Sequence, residues 1–249
     1  MKFGTGILTR TDANTLDTAQ FRRLVGELAK VVHEGRQCLL VSSGAVGAGM
    51  MVLGHKERPV HLPDIQACAA VGQSRLMRLY QSLFARHRLH VAQLLLTHQD
   101  LDSRTRFQNA RNTLECLLAR GDVVPIINEN DSVAVEELKF SDNDRLSAEV
   151  ATLANAELLV ICTSANGLTA TGDPNDPAIP VVEDLDSVLG YASGSKGRMS
   201  VGGMASKLMS VRHAVEAGIP TTIINGRTPG ALERAMRREP EGTQFLPKR

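Results

Sequence analysis

Residues 127–148, INENDSVAVEELKFSDNDRLSA, hold six carboxylates and three asparagines. Two clusters, Asn128-Glu129-Asn130-Asp131 and Asp142-Asn143-Asp144, flank an alternating run over 133–140. Acids and amides at two neighbouring turns suit a solvated loop or a site for a charged small molecule. In the second case carboxylates accept from an ammonium, and amides donate to a carboxylate. Three other turns suit phosphate. Ser42-Ser43-Gly44-Ala45 joins an apolar run to a helix starting near 45. Lys2-Phe3-Gly4-Thr5-Gly6 sets a small turn beside a lysine, and Gly202-Gly203-Met204-Ala205-Ser206-Lys207 opens a helix with a lysine one turn in. Such turns aim backbone N–H groups and a helix dipole at an anion.

Familiar nucleotide motifs are missing. The chain has no GxxxxGK[ST], no GxGxxG after a strand and no HRD or DFG set. A Walker-type NTPase, a dinucleotide oxidoreductase and a protein-kinase site are therefore not expected. Asp142-Asn143-Asp144 lacks the alternate spacing of a calcium loop.

These residues need a scaffold. Phe21, Leu24, Val25, Leu28, Val31 and Val32 recur at helical spacing behind a capping Asp17, which predicts a helix over 18–34. Further helices are expected over 64–88, 105–120, 145–156 and 203–217, and strands over 37–43, 90–97, 123–127, 158–163 and 221–224. Apolar strands alternating with helices imply right-handed crossovers and a mostly parallel sheet with helices on both faces. In such folds ligands gather at the carboxyl ends of the strands. Here those ends are small or polar: Ser42–Ala45, Thr97–Asp100, Asn128–Asp131, Thr163-Ser164-Ala165-Asn166 and Asn225-Gly226. The alternating run at 131–140 suits a surface hairpin. Loops are expected over 164–202 and poor order over 238–249.

Composition sets outer bounds. With 249 residues, 43% hydrophobic and 22% charged, the chain is ordinary globular material. A net charge of +1 implies neither a nucleic-acid partner nor a membrane surface. No apolar run approaches the roughly 20 residues of a membrane span, and the start, MKFGTGILTRTD, has no secretory apolar stretch. Cys38, Cys68, Cys116 and Cys162 are dispersed in apolar contexts and are expected as reduced, buried thiols, consistent with a cytoplasmic protein.

Eight segments belong together: Lys2–Thr5, Ser42–Ala45, Ala69–Gln73, Leu94–Thr97, Asn109–Thr113, Ile127–Asp131, Asp142–Ala148 and Gly202–Lys207. In order and spacing the chain resembles the glutamate 5-kinases of the amino-acid kinase fold over nearly its whole length. The resemblance implies a three-layer αβα sandwich with a mostly parallel central sheet. It also implies a single domain, with a substrate-binding part over about 1–155 and a nucleotide-binding part over about 156–237. The implied reaction is ATP-dependent phosphorylation of the γ-carboxylate of L-glutamate with Mg²⁺, the first step of proline synthesis. Proline as feedback inhibitor and a dimer or tetramer are further implications.

By the same resemblance the catalytic set is Lys2, Asp144 and Lys207, with Asp144 orienting both lysines. Ser43, Gly44, Asn128, Glu129, Asp131 and Asn143 would hold the amino acid. Asp131 suits its α-ammonium, Asn143 a carboxylate, and Ser43 with the Gly44 amide the transfer point. Lys2, Gly4, Thr163, Ser164, Val201, Gly202, Gly203, Met204 and Lys207 would hold the nucleotide; no protein ligand to the metal is assigned. Asp142 divides between this site and capping the helix at 145.

Departures fall mainly on the nucleotide side. Thr163-Ser164 stands where the family has Thr-Asp, Ser141 where it has Gly, and Ser200-Val201 where it has Gly-Thr. Valine supplies no hydroxyl, and losing a glycine stiffens the loop. Weak ATP affinity or altered nucleotide choice is therefore expected. The strand before the first lysine is nearly absent, so Lys2 is expected to be loosely anchored, and the family's C-terminal PUA domain is not represented. Two alternatives stand beside the kinase: a same-fold kinase for another small acid, and a weakened regulator that binds glutamate or proline.

Overall fold

The computed structural model describes residues 1–10, 15–134, 142–173, 176–193 and 203–247. Two compact units emerge, Phe3–Leu138 and Met1–Lys2 with Lys139–Arg249.

In the first unit, helix α1 (Thr5–Leu8) leads to α2 (Thr18–His33). Asp17 caps α2 by accepting from the Gln20 amide, and Phe21, Leu24, Val25, Leu28 and Val31 form its buried stripe. Strand β1 (Lys2–Phe3), whose first residue counts with the other unit, precedes β2 (Leu40–Ser42), β3 (His90–Leu96) and β4 (Val123–Glu129). Their order is β3-β4-β2-β1, and β4 runs parallel to both neighbours. The β2–β4 register, Val41 beside Ile127, and the β3–β4 register, Leu96 beside Glu129, bring three carboxyl ends out together. Helices α3 (Ala45–Leu53), α4 (Leu62–Ala85), α5 (His98–Asp102) and α6 (Arg104–Leu118) complete this unit.

α3 and α4 touch backbone to backbone. A Cβ at Gly49 would stand 1.8 Å from the Cys68 carbonyl oxygen, and one at Gly72 1.8 Å from that of Ala45. Only glycine fits at either crossing point.

The second unit contains α7 (Asp142–Leu153), β5 (Leu159–Thr163), β6 (Val181–Val182), a 3-10 helix over Leu185–Ser193, α8 (Met204–Glu216), β7 (Thr221–Asn225), α9 (Ala231–Met236) and β8 (Thr243–Phe245). The strand order is β5-β7-β8-β6, with β5 and β7 parallel and β8 antiparallel to β7. Leu159, Ile161, Leu208, Val211, Ile223 and Phe245 make its core.

Several expectations change. Through residue 247 the tail is ordered: β8 pairs with β7 and β6, and Phe245 is buried. The segment 164–202 carries β6 and the 3-10 helix. Cys116 is exposed, whereas Cys38, Cys68 and Cys162 are buried. α6 buries Ala110 and Leu114, and position 116 points away from that stripe. Burial pushes the Cys38 thiol up to about 11, so it stays protonated. The expected hairpin falls largely on 135–141, outside the described residues. No described helix is long and apolar enough to cross a membrane.

Candidate functional site

A single carboxylate receives two ammonium groups. Asp144, in the first turn of α7, is fully buried. Lys2 Nζ lies 2.5 Å from Asp144 Oδ1, and Lys207 Nζ donates to Asp144 Oδ2 at 3.3 Å. Lys2 is 2% exposed and Lys207 6%. The expectation of a loosely held Lys2 is therefore corrected: the two-residue strand β1 is buried, and its lysine is fixed by Asp144.

The trio carries two positive charges and one negative. Removing that excess from water is costly unless an anion joins it. Lys207 registers the deficit. Desolvation by burial pushes its pKa below the ordinary 10.5; Asp144 opposes this and Lys2 adds to it. α8 starts beside this charge with Gly203 as its N-cap, in extended conformation and with no side-chain oxygen capping it. The helix N-terminus adds to the positive potential. Together these features are chemically suited to an anion on the scale of a phosphate.

Other residues assigned to nucleotide or substrate sit in the same unit. Thr163 ends β5 half-buried, its carbonyl accepting from the Gly226 amide at 2.8 Å, and Ser164 is exposed. The Asn225 side chain donates to Asn166 Oδ1 at 2.9 Å. Met204 and Asn143 are half-buried in the first turns of α8 and α7. Val201 and Gly202 lie outside the described residues. Among the described residues no three potential His, Cys, Asp or Glu ligands gather as a metal cage.

The remaining candidates, Gly4 for the nucleotide and Ser43, Gly44, Asn128, Glu129 and Asp131 for the acid, belong to the unit Phe3–Leu138. Gly4 follows Phe3, whose carbonyl accepts from the Ser43 amide at 3.2 Å. Gly44 takes φ 107° at the N-cap of α3, a conformation that side chains disfavour, so the turn after Ser43 is built around it. Asn128 and Glu129 are buried at the end of β4, and Asp131 is half-buried two residues on. The Asn128 Oδ1 accepts from the Glu129 amide at 2.9 Å, and its Nδ2 donates to Gln73 Oε1 at 2.9 Å. Gln73 Nε2 continues to Gln93 Oε1 at 3.1 Å. Ser42 shares a 2.7 Å hydrogen bond with the hydroxyl of Tyr80.

The structure thus brings Lys2, Asp144 and Lys207 together in one unit, and the ends of β2 and β4 with Ser43, Gly44, Asn128 and Glu129 in the other. Gln73 and Tyr80 were not among the sequence-derived candidates. Their signal was a glutamine inside an otherwise apolar stripe, seven residues before a tyrosine.

Comparison with known proteins follows the same lines. The model of the Amino acid kinase family matches residues 1–225. Glutamate 5-kinase from Pelobacter propionicus is 45% identical over 251 residues, 99% of this chain and 67% of that protein. Those from Moorella thermoacetica and Thermus thermophilus are 46% and 44% identical, each spanning the whole of this chain and 66% and 67% of theirs. The chain therefore spans about two thirds of their length. Among solved structures, a UMP kinase from Bacillus anthracis superposes with a TM-score of 0.64 at 13% identity, covering 100% of this chain and 95% of that one. Uridylate kinase from Archaeoglobus fulgidus gives 0.61 at 16%, covering 92% and 94%. Similarity at that level speaks to fold, and the fold class is the expected α/β sandwich with a mostly parallel sheet.

Proposed function

Since this chain belongs to the amino acid kinase family, and within it to the glutamate 5-kinases, we propose that it transfers the γ-phosphoryl group of ATP to the γ-carboxylate of L-glutamate. An oxygen of the carboxylate bonds to the γ-phosphorus, the bond to the β–γ bridging oxygen breaks, and its electron pair leaves on ADP. The product is L-glutamyl 5-phosphate, which feeds proline biosynthesis. The observation that supports this best is the buried Lys2–Asp144–Lys207 trio.

The chemistry suits that trio. A glutamate side chain has a pKa of ~4.3 and is already ionised at neutral pH, so no general base is needed. The obstacle is repulsion between two anions. Cations held in place around the transferring group lower it, and in a buried setting they need no reorganisation. Lys2 and Lys207 supply the cations, and Asp144 keeps both ammonium groups aimed. Mg²⁺ belongs with the nucleotide as its phosphate-bound partner. Gly4, Thr163, Ser164, Val201, Gly202, Gly203 and Met204 serve the nucleotide. Ser43, Gly44, Asn128, Glu129, Asp131 and Asn143 serve the amino acid. The same reading carries L-proline as a feedback inhibitor, a homo-oligomer of two or four chains and a cytoplasmic location.

ADP release, coupled to an indicator reaction with L-glutamate and Mg²⁺-ATP, tests the function. Turnover specific to L-glutamate is expected. Faster turnover of another acid would favour a different kinase of this fold, and glutamate binding without ADP would favour a regulator. Asp131→Ala removes the partner proposed for the α-ammonium, so the KM for glutamate should rise by about thirtyfold, with kcat changing far less. An unchanged KM would remove Asp131 from the site. Calorimetric titration addresses the nucleotide side. With Ser164 and Val201 in place of an acid and a hydroxyl, ATP should bind weakly, with a Kd on the order of 1 mM. Tight, ATP-specific binding would contradict this.

A further inference from the structure

Helix α4 is built as a splint for the amino-acid residues. Gln66, Gln73 and Tyr80 follow one another at intervals of seven, which is nearly two full turns, so they share one face of the helix. Each makes a polar contact with a different part of the unit that carries Ser43, Asn128 and Asp131. Gln66 Nε2 donates to the Ala134 carbonyl at 3.3 Å, just past the turn that begins at Asn130 and includes Asp131. Gln73 accepts from Asn128 at the end of β4. Tyr80 bonds Ser42 at the end of β2, next to Ser43.

The directions of these bonds follow from one backbone group. The Glu129 amide can only donate, so Asn128 turns its oxygen toward it and its nitrogen toward Gln73. Gln73 must then present its oxygen to Asn128 and its nitrogen to Gln93. At the other end Ser42 donates to the Ser43 carbonyl at 3.1 Å, so the Tyr80 hydroxyl donates to Ser42. Tyr80 is fully buried and held edge-on to Phe21 at 5.1 Å and against Phe84 at 6.3 Å. A buried amide or hydroxyl that loses its partner is expensive, so these contacts define geometry more sharply than packing does.

We propose that Gln66, Gln73 and Tyr80 are positioning residues for the acid substrate, acting through Ala134, Asn128 and Ser42 and touching no substrate themselves. The proposal rests on the reading of Ser43, Asn128 and Asp131 as glutamate-binding. Gln73→Met keeps length and volume but takes an acceptor from Asn128. Tyr80→Phe keeps both ring contacts and removes only the hydroxyl. Gln66→Ala removes the donor to Ala134.

The test compares KM for L-glutamate and for ATP, with thermal melting recorded alongside. Gln73→Met is expected to raise the glutamate KM by about tenfold, and Tyr80→Phe and Gln66→Ala by about threefold to fivefold. The ATP KM should stay within about twofold. The exposed Gln81→Ala on the same helix serves as control and should move neither. A merely structural role would lower stability and shift both KM values alike, or neither. Either result overturns the proposal, and Tyr80→Phe decides it if Gln73→Met does not fold. A parent chain that neither binds nor phosphorylates L-glutamate overturns the functional reading first, and this proposal with it.

Discussion

Asp144→Ala is expected to turn over substrate about a thousandfold more slowly than the parent chain, while its affinity for L-glutamate should change by less than about threefold. The carboxylate holds Lys2 on one oxygen and Lys207 on the other, at 2.5 and 3.3 Å. Without it, two buried ammonium groups repel each other with nothing between them. One should then swing away or shed its proton, and the charge proposed to face the phosphoryl group would be lost. Breaking a buried ionic contact by removing one partner costs about 3–5 kcal/mol, so the melting temperature should also fall. Asp144→Asn separates the two effects. It keeps the shape and should melt closer to the parent, yet turn over nearly as slowly as the alanine variant. Of the residues proposed for the amino acid, Ser43, Gly44, Asn128, Glu129 and Asp131 belong to the other unit and only Asn143 neighbours Asp144, so glutamate affinity should change little. Turnover comes from ADP release and affinity from calorimetry. A kcat left intact in Asp144→Ala would remove Asp144 from the catalytic set.

Lys207 gives the second large effect and a pH signature. Lys207→Met should lower kcat by about a hundredfold, the scale for losing one preorganised charge at a transition state. The signature comes from burial, which brings its pKa below the ordinary 10.5 despite the opposing pull of Asp144. In the folded free chain the ammonium therefore loses its proton earlier than in an unfolded one. kcat/KM should fall as pH rises through that lowered value, within a window that closes at 10.5. Folding stability runs the other way. Across the same window the unfolded chain binds more protons, so this group's contribution improves as pH rises. A bound nucleotide brings negative charge and restores the proton, which places the alkaline limb of kcat above that of kcat/KM. In Lys207→Arg the guanidinium stays charged and the limb should move up. A limb unmoved by Lys207→Arg would assign it to another group.

Much of this was legible beforehand where the signal is local. Asp17 and the apolar spacing from Phe21 to Val31 define α2 because capping and periodicity act within a few residues. The buried runs at β4 and β5 read directly as strands. Strand β8 was hidden because three residues are too few to show alternation, and one of its partners, β6, lies far back in the chain. The short helix α5 was hidden differently: Thr97 and Asp100 form a reciprocal capping box, a signal present at the strand end and read there as polar ligand chemistry. Asp100 spends its carboxylate on that cap and on Arg106, which outweigh its burial and hold its pKa below the usual range.

In the candidate site, the roles of Lys2, Asp144 and Lys207 came from resemblance. Residues that far apart along the chain leave no periodic trace of their meeting. The relay from Gln93 through Gln73 to Asn128 was invisible for the same reason, since its second bond spans 55 positions. Cys116 was misread because an apolar neighbourhood in sequence says nothing about which side of a helix faces outward.

The crossing of α3 and α4 bears on how such a site can respond to force. At Gly49 and Gly72 main chain rests on main chain, with no side chains between them to change rotamer. A displacement entering α4 cannot be cushioned there; it passes undiminished into α3 and into the Ser43–Gly44 bend that starts it. The joint is a rivet where most helix pairs have a spring, and the bend and the helix that braces it shift as one stiff body or not at all.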